Sequence, residues 1–115
     1  MTLPPRIPKK ANRSDRWKSQ RHRNYVRSFA CSVCKTTAGI EVAHVRLGSG
    51  AGMGRKPDDW RTVSLCGGPN GCHAKQHAVG EATFWSQAGQ DVEVLIDAFC
   101  RTSPVAAEIR KVRNV

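Results

Sequence analysis

The sequence predicts a small α+β domain stapled by a metal. Three observations carry this: two cysteine pairs, Cys31/Cys34 and Cys66/Cys72; two short strand-like segments between them; and helical patterns that begin at the second pair. The chain has 115 residues, the length of one domain with trailing ends. At 39% hydrophobic and 6% aromatic it supports a lean core, of the kind that metals or disulfides commonly reinforce.

Residues 1–14 hold Pro4, Pro5 and Pro8 among basic residues and read as a flexible basic arm. A short helix is expected over about residues 15–29, capped by Ser14 or Asp15, with Trp17, Arg21, Tyr25 and Phe29 on one face. Its other face is basic, and His22 reads as part of it. Residues 40–47, IEVAHVRL, alternate as a strand, placing Glu41, Ala43, Val45 and Leu47 opposite Ile40, Val42, His44 and Arg46. The glycine-rich run 48–54 is a connector, since it fits neither a dinucleotide fingerprint nor a P-loop. Residues 60–65, WRTVSL, form a second strand, and Cys66–Cys72 is a turn rich in glycine. A helix starts near Cys72 and carries His73 and His77. Val92, Leu95, Ile96 and Phe99 give an amphipathic helix over 91–101. The domain is therefore expected to run over 15–103, with 104–115 a basic C-terminal tail.

The net charge is +10, and Arg6, Lys9, Lys10, Arg13, Arg16, Lys18, Arg21, Arg23 and Arg27 all fall within the first 29 residues, against Asp15 alone. Such a concentration suits phosphate-backbone binding, because each neutralised phosphate releases counterions; it equally suits a solvated, solubilising tail. No apolar run is long enough to span a membrane, and no hydrophobic stretch follows the basic N-terminus as in a secretory signal. A cytoplasmic protein with reduced cysteines is expected, which makes metal ligation more plausible than disulfides.

Cys31-x2-Cys34 and Cys66-x5-Cys72 are separated by 31 residues, and each pair is closed by a tight turn. Four thiolates meet the tetrahedral preference of zinc. A redox pair at Cys31/Cys34, or coincidence, is the competing reading. Cys100 lies in the amphipathic segment and reads as a small buried apolar residue. His73 and His77, four apart, project from one helix face and suit a single divalent ion, Mg2+, Mn2+ or Zn2+. His44 shares its strand face with Arg46. A metal, an imidazole base and an arginine together are the parts that phosphodiester hydrolysis requires. Each also has a structural reading: strand histidines are often structural, and a helical histidine pair can arise by chance.

The order Cys-x2-Cys, strand histidine, glycine-rich loop, Leu-Cys, then Cys-His-x3-His resembles the HNH (ββα-metal) endonucleases. More closely, AHVRLGSGAGMGRKPDDWRTVSLC, CHAKQH and the later FW resemble small phage and prophage HNH nucleases, including a group associated with phage recombination. The resemblance covers about residues 31–85. It implies a treble-clef-like ββα-metal core, structural Zn2+ on Cys31, Cys34, Cys66 and Cys72, and endonuclease activity on DNA in a bacterial host cell. His44 would then be the general base, and His73 and His77 ligands of a catalytic divalent metal. Partners would be DNA and a recombination or packaging protein, with no membrane and either a monomer or a homodimer. Two positions depart from the family pattern. Ala43 stands where many members carry Asp or His, and Arg61 where an Asn that orients the base is expected. Asp59, in Lys56-Pro57-Asp58-Asp59-Trp60, is a candidate auxiliary acid, and Arg46 a candidate phosphate contact. The alternative is a non-catalytic zinc-stapled DNA-binding module, or an adaptor for a recombination protein.

Overall fold

The computed structural model describes residues 2–5, 16–50 and 56–114. Arg6, Lys9, Lys10, Arg13 and both expected helix caps, Ser14 and Asp15, lie outside them, as does part of the glycine-rich connector. The described residues form five helices and a two-stranded antiparallel sheet: α1 (Gln20–Arg27), β1 (Ile40–His44), β2 (Thr62–Cys66), α2 (Cys72–Val79), α3 (Glu81–Ala88), α4 (Val92–Thr102) and α5 (Ala106–Arg113). None is long and apolar enough to cross a membrane.

β1 pairs with β2 from Ile40↔Cys66 to His44↔Thr62. Alternation on β1 buries Ala43, with Val45 just beyond it, and leaves Val42 and His44 half-buried on the other face. Glu41 and Leu47, expected on the buried face, are exposed because they lie where the core ends. On β2, Val63 and Leu65 enter the core, while Thr62 and Ser64 are buried on the opposite side. Ser64 is satisfied there by Ser32 Oγ at 3.0 Å and by the Ala30 carbonyl at 2.8 Å.

Three segments differ from expectation. The first helix begins at Gln20, because Ser19 supplies the cap: its side chain accepts from the His22 N–H. Residues 16–19 instead run extended along Asp58 and Asp59. The Trp17 N–H donates to Asp58 Oδ1 at 2.9 Å, and the Asp59 N–H to the Trp17 carbonyl at 2.9 Å. His22 is no part of a solvent-facing basic face. With Val26, one turn on, it is fully buried, and its Nδ1 lies 2.9 Å from Ser103 Oγ. The sequence assigns no element to 81–88, but α3 forms there, split from α2 by Gly80 at φ +89 and burying Phe84 and Trp85. Residues expected as a C-terminal tail form α5, which packs on α4 through the buried Ile109.

Candidate metal centre and histidine cleft

Cys31 and Cys34 flank a turn in which the Lys35 N–H returns to the Cys31 carbonyl at 3.0 Å, with Lys35 itself at φ +65. The second pair is set by the turn after β2. A side chain at Gly71 would collide with the carbonyls of Gly67 and Cys66, so this position has room for glycine only. The Cys72 N–H, at the start of α2, donates to Cys66 Sγ at 3.2 Å. The four sulfurs all lie within 4.8 Å of one another, with Cys34 and Cys66 3.6 Å apart. A zinc ion with Zn–S bonds of about 2.3 Å spaces its sulfurs roughly 3.8 Å apart. Cys31, Cys34, Cys66 and Cys72 therefore form a group that could hold a structural metal such as zinc.

Electrostatics agrees. Burial opposes ionisation of Cys31, but the N–H groups of Cys34, Val33 and Cys66 direct their hydrogens at its sulfur and hold it down at about 6. Burial, reinforced by the neighbouring thiols, pushes Cys72 up to about 12. Four sulfurs this close ionise together only when a cation balances them. Cys100, by contrast, is buried against the Trp60 carbonyl and raised to about 11 by burial. It packs as expected and lies outside the cluster.

Beside the knuckles, β1 and α2 enclose a cleft of about 420 Å³ lined by Val42, His44, Arg46, Lys56, His73, His77 and Glu81. The three histidines singled out by the sequence thus face one space. The His73 and His77 rings are 4.9 Å apart, and His73 Nδ1 is 2.9 Å from Glu41 Oε1. That carboxylate occupies the space a side chain at Gly67 would fill. Glu81 accepts from the N–H groups of Arg46 and Leu47 at 3.0 and 2.7 Å, tying the end of the first strand segment to α3. Neither Glu41 nor Glu81 was singled out by the sequence. Their signal, a carboxylate meeting a site residue far along the chain, exists only in three dimensions.

His44 Nε2 lies 2.9 Å from Asp59 Oδ1. Asp59 is fully buried and also paired with Arg16 and, at 3.2 Å, with Arg23. Burial works against its charge, but hydrogen bonds from His44, the Ser19 N–H and Arg16 outweigh this and hold the carboxyl well below the usual range. Arg16 and Arg23, expected on the DNA-facing side, are thus engaged with Asp59, while Lys18, Arg21 and Arg27 are exposed. Arg61 is buried. It donates to the carbonyls of Val45 and Leu47 at 3.2 and 2.6 Å and pairs with Glu93, acting as a clamp on the chain leaving β1. Among the described residues, the cysteine set is the one group of three or more ligand side chains with donor atoms within 4.8 Å of one another. No family model matches the sequence, and no curated protein or solved structure matches it.

Proposed function

We propose that the chain is a metal-dependent DNA endonuclease of the HNH (ββα-metal) type, phage or prophage encoded, hydrolysing phosphodiester bonds in the bacterial cytoplasm. The observation that carries this reading is the shared cleft. His44 on β1 and His73 and His77 on α2 line one space together with Arg46 and Lys56, beside the four-cysteine group. A binding module has no need of three imidazoles converging on one cleft beside two cations.

His73 and His77 would hold the catalytic divalent ion. The donor set fits: the Glu41 carboxylate on Nδ1 fixes the His73 ring and leaves Nε2 for an ion, the usual arrangement of a ligand histidine. Bound there, a divalent ion supplies Lewis-acid stabilisation of the phosphate and the leaving oxygen. His44 removes the proton from the attacking water. Arg46 and Lys56 offset charge on the phosphoryl oxygens. Lys18, Arg21 and Arg27, with the arm residues Arg6, Lys9, Lys10 and Arg13, would grip the DNA backbone. A recombination or packaging protein would be the natural partner.

The test is incubation of purified protein with supercoiled and single-stranded DNA plus Mg2+, Mn2+ or Zn2+, beside His44→Ala. Nicking that falls roughly 10²–10⁴-fold in the variant is expected, the span of general-base catalysis. Undiminished nicking by His44→Ala would remove His44 from the chemistry. DNA binding without nicking under any metal would favour the second reading, a zinc-stapled binding module.

A further inference from the structure

We propose that Asp59, anchored by Arg16, is the positioning residue that fixes the tautomer of His44, so that Nδ1 is the nitrogen that takes the proton. The catalytic consequence rests on the nuclease reading; the hydrogen-bond arrangement does not.

The Asp59 carboxylate has no exposed surface and four partners. Arg16 Nη1 donates to Oδ1, which also lies 2.9 Å from His44 Nε2. Oδ2 accepts from the Ser19 N–H at 2.8 Å and from Arg23 at 3.2 Å. A carboxylate held in its ionised form by two guanidinium groups only accepts hydrogen bonds, so His44 Nε2 must carry the hydrogen. The neutral ring then has its lone pair on Nδ1. Arg16 shows what the carboxylate prevents. Its Nη1 lies 3.4 Å from His44 Nε2, and a guanidinium beside that nitrogen would otherwise favour the opposite tautomer, with Nε2 bare and Nδ1 blocked by hydrogen.

The arrangement also answers the missing asparagine. Arg61, in its expected place, is turned away to the Val45 and Leu47 carbonyls and to Glu93, and orients no histidine. Orientation comes instead from the segment just before β2, and it is secured by residues 16–19 of the supposed DNA-gripping region. Arg16 then supports the proposed centre at one remove: without it the fully buried carboxylate has Arg23 alone, 3.2 Å away, to balance its charge, and Oδ1 loses its cation.

The experiment is long-range 15N–1H NMR of the histidine rings in the zinc-loaded protein, which distinguishes Nε2–H from Nδ1–H directly, run beside the nicking assay. In the wild type, His44 is expected as Nε2–H. Finding Nδ1–H in the folded wild type overturns the proposal, whether or not the protein nicks DNA. In Asp59→Asn, whose single oxygen cannot serve both donor pairs, the Nδ1–H form is expected to appear and nicking to fall by up to roughly 10⁴-fold, as when a histidine base is left in the wrong tautomer. Arg16→Ala should lose about tenfold or more in nicking, with Arg16→Lys recovering most of it, because a cation on Oδ1 is restored. Wild-type nicking by Arg16→Ala would overturn the anchoring role. A protein that nicks under no metal would defeat the nuclease reading, while its His44 tautomer still decides the hydrogen-bond proposal.

Discussion

His22 sets what the molecule tolerates in acid. It is fully buried, with Ser103 on Nδ1 and no partner for Nε2. Burial lowers it from 6.5 to about 4, although the negative charge of Asp59 pulls the other way. A histidine whose folded pKa is depressed stabilises the fold above its unfolded value, near pH 6.5. That contribution drains away as pH falls to about 4, on the order of 3 kcal/mol in all. Asp59, also depressed, gives up its contribution only below about pH 4, so the two windows are separate. Urea midpoints measured from pH 7 to pH 4 should fall in the wild type more steeply than in His22→Leu. Parallel slopes would mean that His22 does not titrate with unfolding. In the sequence this residue looks like part of a basic surface because Arg21 and Arg23 flank it. Neighbours in sequence say nothing about which side of a short helix finds the core. Cysteine spacing is more informative, since a turn of fixed length brings its two ends together whatever surrounds them.

At the level of elements, legibility followed the strength of local signals. β1, α2 and α4 were readable because alternation, the Cys-His-x3-His run and a stripe of four apolar residues each repeat within one short span. α4 is also marked by Asp91, whose carboxylate accepts from the Glu93 N–H at its start. α3 was missed because it has no capping side chain and follows α2 after a single glycine. α5 reads as tail in the sequence because its exposed face is basic and its buried apolar anchors are just Ile109 and Val105 before it; its polar ties, Glu108 to Trp17 and Arg113 to Asp97, exist only in the fold. That anchoring is measurable. Ile109→Ala should lower the unfolding free energy by about 2–5 kcal/mol in urea titrations, the usual cost of truncating a buried isoleucine. An unchanged midpoint would return residues 104–115 to the status of a passive tail. The cleft was legible residue by residue, but its supporting contacts were not. Asp59 was singled out in the sequence, whereas its pairing with His44 depends on how β2 is entered.

For the whole molecule, the four cysteines link the chain ahead of β1 to the chain after β2, across a core of modest size. Metal content should be one zinc per chain. Stripping it with a strong chelator should lower the thermal midpoint sharply and reverse on adding zinc back, as followed by circular dichroism. Cys66→Ser should lose the zinc even at neutral pH. A midpoint indifferent to the chelator would show that the cysteines staple nothing. The two ends of the fold also meet: Trp17 Nε1 donates to Glu108 Oε1 at 2.9 Å, and His22 rests on Ser103. Synthesis is vectorial, and this gives the contact a meaning in time. The knuckles and the cleft are complete in a nascent chain that has reached α3. Asp58 and Asp59 already hold residues 16–19 by then, whereas the Trp17 side chain finds its partner only once Glu108 has been made. A ribosome-bound chain can therefore gather its four cysteines and its cleft before the last helix closes over Trp17 and His22.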